Sequence, residues 1–406
     1  MARRPLPPEL LERGAEHPFD PPAARQRLRA ESPVARVDLL NGAQAWMITG
    51  YAQARAVLAD TRYSSDTVRR TSAMQLTSQQ ATAAKPGERA DGMFIFMDPP
   101  EHTRLRRLLT SQFTVRRMQA LEERVREIAV EHIEAMRGAG SPADLVPAFA
   151  LPLPSLVICE LLGVAYADRA EFQERSAIAL NLTKSDAERF AASAGLRDFM
   201  RELVAVKRAT PDDMLLSGLI HDDITPPLTD AELVDIGITL LGAGHETTAN
   251  MLALSTFALL ENPEQLAAVR AEPELLSTGV EELLRYLSIV HTGPTRIASE
   301  DMELDGVSIA EGDTVVLSVP NANRDAEHWA DPERLDLARP RSPHLAFGHG
   351  VHQCLGQQLA RVELRIGLAE LFTRLPGLRL AAPAEEIPLR TDMVIFGVHS
   401  LPVAWD

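Results

Sequence analysis

The chain of 406 residues is poor in several features that mark whole protein classes. It has two cysteines, Cys159 and Cys354, so at most one disulfide can form, and a disulfide-stapled secreted scaffold is excluded. Basic side chains number 41 against 57 acidic ones, a formal net charge of −16. Such a field repels nucleic acid and anionic lipid, so neither is expected as a general partner, although a local basic patch is compatible with it. Lysine is almost missing: Lys85, Lys184 and Lys207 are the only ones, and the other basic residues are arginines. The start, Met1-Ala-Arg-Arg-Pro-Leu-Pro-Pro, lacks the apolar run of a signal peptide or anchor, so a reducing cytoplasm is the expected home. No fixed-period repeat and no low-complexity linker divides the chain.

What is present reads as an ordinary globular composition, 45% hydrophobic and 24% charged. Residues 1–30 are rich in Pro, Arg and Glu, and 1–44 read as an irregular lead-in to a single domain over 45–406. The polar stretch from Thr67 to Asp91 shows no period, which marks a functional or mobile segment. Helical periodicity predicts helices over 51–59, 101–110, 114–137, 151–163, 167–182, 186–207, 230–260, 263–271, 276–287 and 355–374. Short strands are predicted over 45–50, 303–309, 313–318, 377–380 and 393–399, with an Asp-Gly hairpin turn at 305–306. The fold class is therefore mostly α with a small β portion. The 230–260 run is apolar and long enough to span a bilayer, roughly 45 Å. Asp235, His245 and Glu246 interrupt it, and Thr229-Asp230-Ala-Glu232 supplies a cap, so a long central helix of a soluble domain is the better reading.

Phe347-Gly-His-Gly-Val-His-Gln-Cys-Leu-Gly356 carries the most chemistry. A metal thiolate needs an ionised, shielded sulfur approached by backbone N–H groups. Gly348 and Gly350 let the chain fold tightly before Cys354, and Gly356 lets the next helix approach a flat ligand. Cys354 then lies at the N-terminus of the predicted helix, where the macrodipole favours a thiolate. Leu355, Leu359 and Val362 form the inner face of that helix, with Gln357, Gln358 and Arg361 outside. A buried core cysteine competes, against poor core neighbours. A zinc site from His349, His352 and Cys354 also competes, without a second ligand cluster.

Ala243-Gly-His-Glu-Thr-Thr248 places residues unfavourable to a helix in the middle of the long one. A Thr hydroxyl there can bond a carbonyl one turn back and open a groove, and an acid beside it can relay protons; a simple kink is the alternative. Glu282-Leu-Leu-Arg285 alone would be a surface pair of a few tenths of a kcal/mol. His102 and Arg106 share a helix face at i, i+4.

Phe-Gly-x-Gly-x-His-x-Cys-Leu-Gly resembles the haem-binding loop of the cytochrome P-450 superfamily at every fixed position. That resemblance implies the helical fold of the family around haem b (iron protoporphyrin IX), with Cys354 as the axial iron ligand. It further implies Glu246 and Thr247 as the oxygen-activating pair, and His102, Arg106, Arg296 and His352 as propionate contacts. Glu282, Arg285 and Arg339 match the structural Glu-x-x-Arg and meander arginine, with Leu335 standing where many relatives have Phe. The implied activity is insertion of one oxygen atom from O2 into a bulky apolar substrate by hydroxylation or epoxidation. The chain has no nucleotide fingerprint and no cysteine cluster for iron–sulfur, so electrons are expected from a ferredoxin and its reductase. Arg104, Arg107, Arg116 and Arg117 are the candidate docking patch. Residues 67–96, helices near 170–195, and Phe94, Leu240, Leu241, Ala243, Val290, His291, Thr292 and Ile395 are expected around the substrate, with His291 either facing it or packing on a strand. Met97-Asp-Pro-Pro-Glu-His-Thr-Arg and Gln112-Phe-Thr-Val-Arg-Arg are similar to soluble actinomycete members that tailor antibiotics. A peroxygenase-type or other haem-thiolate catalyst, and a haem-binding sensor, are the competing functions.

Overall fold

The computed structural model describes residues 6–14, 17–40, 42–66, 91–165, 168–180, 184–221, 226–391 and 393–406. Most of the polar stretch expected to be functional or mobile, 67–90, lies outside them. The chain enters through α1 (Ala23–Glu31), β1 (Val34–Asp38), β2 (Gln44–Ile48), α2 (Tyr51–Ala59) and β3 (Tyr63–Ser64). The expectation of an irregular lead-in over 1–44 is corrected here. Helix α1 carries one large apolar residue, Leu28, and buries Arg25 instead, so it has no apolar stripe to read. Arg25 lies at 0% exposure and donates to Ser318 Oγ at 3.1 Å.

Helices α3 (Glu101–Gln112), α4 (Val115–Ala120), α5 (Glu122–Ala139), α6 (Pro152–Leu162), α7 (Arg169–Leu180), α8 (Asp186–Ala209) and α9 (Leu215–His221) follow, with β4 (Ala143–Asp144) between α5 and α6. The single helix expected over 114–137 is two, separated at Leu121, whose N–H bonds back to Met118 O at 3.1 Å in a tighter turn. Next comes α10 (Asp230–Leu260), the axis of the molecule, packed against α6, α8, α12 (Leu276–Leu287) and α14 (Gln357–Arg374). Its start is fixed by a capping box: Thr229 Oγ1 accepts from Glu232 N at 3.1 Å, and Glu232 Oε2 accepts from Thr229 N at 2.8 Å. Helices α11 (Pro263–Ala271) and α13 (Val319–Ala322) complete the set.

The β portion comprises β5 (Thr295–Ala298), β6 (Met302–Leu304), β7 (Val307–Ile309), β8 (Thr314–Leu317), β9 (Arg379–Leu380) and β10 (Pro402–Ala404), beside the early strands. One sheet runs β1-β2-β8-β5-β3, with β2 parallel to β8 in the register Trp46↔Val315. Asp305 and Gly306, at φ 54° and 75°, turn the β6–β7 hairpin as the sequence predicts. The strand expected over 393–399 is reduced to isolated bridges, Val290↔Ile395 and Leu389↔Val398. Among the described residues no helix is long and apolar enough to cross a membrane.

Candidate active site

The cysteine loop is built by two left-handed glycines, Gly348 at φ 69° and Gly350 at φ 72°. A Cβ on Gly350 would stand 2.3 Å from Leu58 O at the end of α2, so close backbone approach requires glycine there. Gly356 lines the cavity beside Cys354, where a Cβ built on it meets no protein atom within 4 Å, and α14 begins at Gln357. Cys354 N donates to Phe347 O at 2.8 Å, closing the loop. The sulfur is deep in the protein, and its accessibility is to a cavity of about 400 Å³. Burial pushes the Cys354 thiol up; the N–H groups of Gly356 and Gln357 and the charges of Arg106 and Arg361 oppose that. Arg361 is held beside the loop by Glu281 at 2.6 Å and lies 4.6 Å over the Phe347 ring.

Four predicted donors meet at one side of this cavity: His102, Arg106, Arg296 and His352. The two imidazoles are 4.1 Å apart between ring centroids. Arg106 Nη2 donates to Gln353 O at 2.6 Å and Arg296 Nη1 to Thr295 O at 3.0 Å. Burial, then the charge of Arg106, pushes His102 down to about 4, although Asp98 acts the other way. His352 falls to about 3 through burial and the charges of Arg296, His102 and Arg106. Both ring nitrogens of His102 are buried without a partner among the described residues. A cluster of donors that depress one another is matched chemically to a ligand bearing carboxylates.

Across α10, Ala243 and Thr247 line both this cavity and a second one of about 180 Å³. Thr247 Oγ1 donates to Ala243 O at 2.6 Å, the bond expected from the sequence, yet α10 continues unbroken through it. Glu246 is anchored twice: Oε1 accepts from Arg390 Nη2 at 3.1 Å and Oε2 from Asn250 Nδ2 at 2.9 Å. Sequence reasoning missed Arg390 and Asn250. It also missed Glu363 on α14, a wall residue 2% exposed, although its i+4 spacing from Leu359 put it on the buried stripe. Burial pushes Glu363 up to about 8 against a hydrogen bond with Thr248.

Glu282, Arg285 and Arg339 come together, and the surface-pair alternative is overturned. Arg285 grips Glu282 through Nε and Nη2 at 2.7 and 2.8 Å, Arg339 Nε reaches Glu282 Oε1 at 3.1 Å, and the acid's side chain is 4% exposed. Of the expected pocket residues, Phe94, Leu240, Ala243, Val290, Thr292 and Ile395 line the larger cavity, and Leu241 lines the smaller. His291 does not. Val290 bridges Ile395 in an extended segment, so successive side chains alternate and His291 turns away, its ring 5.8 Å from Phe396.

The family model described as Cytochrome P450 matches residues 172–376. Cytochrome P450-SU2 of Streptomyces griseolus is 48% identical over 100% of this chain and 99% of its own. The chain belongs to the cytochrome P450 family. Pentalenic acid synthase of Streptomyces avermitilis is 47% identical over 96% of this P450 and 95% of its own length. The crystal structure of CYP105P1 in complex with filipin I superposes at TM-score 0.91, with 44% identity and 99% coverage of both chains. The protein is thus a P450 monooxygenase, an oxidoreductase whose family uses haem iron. The residues fit that group: a lone thiol faces one cavity with a carboxylate-seeking donor set, and His102 presents unsatisfied nitrogens to it.

Proposed function

We propose that this P450 hydroxylates or epoxidises a bulky, mostly apolar natural product, with Cys354 ligating haem b and electrons supplied by a ferredoxin and its reductase. The observation that carries this reading is that Thr247 lines a single cavity with Cys354, with Glu246 on the adjoining one. Haem bound by a thiolate supplies O2 activation through electron donation from sulfur. His102, Arg106, Arg296 and His352 would hold its carboxylates. Thr247, its O–H donated in a hydrogen bond to Ala243 O, keeps lone pairs that accept from a donor in the cavity. Glu246 brings protons to that hydroxyl. Ile95, Ile238, Leu241, Val394 and Ile395 present an aliphatic upper wall, which supports an apolar substrate. The filipin I complex of CYP105P1 and the name pentalenic acid synthase point the same way. We read 45–406 as one haem domain into which α1 and β1 are built, in a cytoplasmic protein.

Removing the Thr247 hydroxyl as Thr247→Ala is expected to leave substrate binding intact while most electrons no longer reach product. Unchanged product per NADPH would favour a peroxygenase-type catalyst instead.

The ferredoxin reading takes as its surface a concavity of about 500 Å³ beside the start of α14, lined by Met118, Val280, Arg341, Arg361 and Arg365, the last two paired with Glu281 and Glu122 on the same wall. Of the expected basic patch, Arg104 is bonded to Glu232 and Arg117 to Gln112 and Asp213 O, so those two are engaged internally. Arg107 and Arg116 are exposed. The rate of reduction should fall as ionic strength rises; a flat dependence would contradict docking here.

A further inference from the structure

After Arg390 the chain returns to α10 over 393–397, and Met393, Val394 and Ile395 form part of the cavity wall. Arg390 N donates to Gly397 O at 2.8 Å, and Phe396 N donates to Ile289 O at 2.9 Å. Between these ties Met393, Val394 and Ile395 line the second cavity, of about 180 Å³, together with Glu246 and Arg390. At Gly397 the segment meets α10 so closely that a Cβ would stand 1.8 Å from Asn250 Oδ1. Arg390 completes the seam: Nη2 bonds Glu246 Oε1 at 3.1 Å and Nη1 bonds Asn250 Oδ1 at 3.3 Å. Its Nε is buried without a partner among the described residues. Asn250 in turn donates to both Glu246 Oε2, at 2.9 Å, and Glu246 O, at 2.7 Å.

Both ion-pair partners are enclosed, with side chains 12% and 9% exposed. A carboxylate so buried is held in one orientation by its pairing and hydrogen bonds, and loses that orientation when the partner goes. The cation that pairs it lies three residues before Met393, which lines the cavity of about 180 Å³ with Val394 and Ile395.

We infer that Arg390 is a positioning residue for Glu246, joining the substrate-facing segment 393–397 to the proton-relay acid of α10. Substrate against Met393, Val394 and Ile395 shifts the segment, and Arg390 carries that shift to the carboxylate. Occupancy of the cavity and readiness of the relay are thereby coupled through one guanidinium. The inference rests on Glu246 acting as the relay acid.

The test uses the full-length haem-loaded protein as wild type, Arg390→Gln, Arg390→Lys, Glu246→Gln and the double variant Glu246→Gln/Arg390→Gln. Two readouts are taken: product formed per NADPH, and hydrogen exchange at the Arg390 and Phe396 amides of the resting protein. Arg390→Gln should lower product per NADPH about ten-fold, with Arg390→Lys restoring much of it. The double variant should be no worse than Glu246→Gln alone. Both amides should exchange faster in Arg390→Gln and in Glu246→Gln, because either loses the seam. Unchanged exchange in Arg390→Gln, or losses that multiply in the double variant, would overturn the inference. Should Glu246→Gln leave product per NADPH intact, the relay reading falls by itself, and the coupling inferred through Arg390 falls with it.

Discussion

Glu363 shows how one buried group ties stability to pH. Burial raises its carboxyl from the ordinary 4.5 to about 8, so the unfolded chain releases a proton that the folded chain retains. Between those values the folded state binds more protons, and stability falls as pH rises through the window. Below 4.5 both states are protonated and the penalty is absent; above 8 it is complete. Glu363→Gln keeps a partner for Thr248 and cannot ionise. Urea unfolding should therefore find the variant matched to wild type near pH 4 and progressively more stable than it towards pH 8. A difference that stays constant across that range would show that Glu363 titrates normally. At this scale the sequence was eloquent where chemistry depends on local spacing, as in Phe347–Gly356, and silent where partners lie far apart. The Arg390–Glu246 pair spans 144 positions, which leaves no periodic trace. His291 was undecidable until the Val290↔Ile395 bridge fixed which side chains alternate inward.

Elements place these groups, and the tightest joint is between α2 and the cysteine loop. Gly350 combines a positive φ with a backbone oxygen in the way of any side chain. Gly350→Ala must move Leu58, strain the turn, or displace Cys354. It should cost at least ~2 kcal/mol and lower haem content at constant expression. Thermal unfolding and the haem-to-protein absorbance ratio check this; a variant with wild-type values in both would show that the loop has slack. Helices α2, α10, α11 and α12 fall on the expected bounds; α12 carries an apolar stripe, whereas α10 is buried nearly all round and is fixed by its cap. The lead-in helix α1 was missed, because its buried face is an arginine supported by Ser318 rather than an apolar stripe. The tail of the chain was misjudged for a related reason. Apolar residues over 393–399 line a cavity as a bridge-linked segment, and alternation alone cannot separate that from a ladder strand.

For the whole molecule, the buried Glu282–Arg285–Arg339 knot, the cysteine loop and α10 form one frame around the cavity. The knot also ties Arg285 Nη1 to Asn323 O at 2.8 Å and Pro332 O at 2.9 Å, anchoring the coil that leads into the loop. Removing one partner of such a buried pair would leave an uncompensated charge, so the frame is held as a unit. An acidic surface with net charge −16 surrounds it, and the exposed Arg107 and Arg116 stand out within that field. The functional account depends on what the frame presents to the cavity, the sulfur of Cys354. Its most direct test is the absorption spectrum of the reduced, haem-loaded protein under carbon monoxide. The account predicts the far-shifted Soret band that a thiolate ligand produces, and its loss in Cys354→His. A wild-type spectrum with the Soret position of a nitrogen-ligated haem would contradict it.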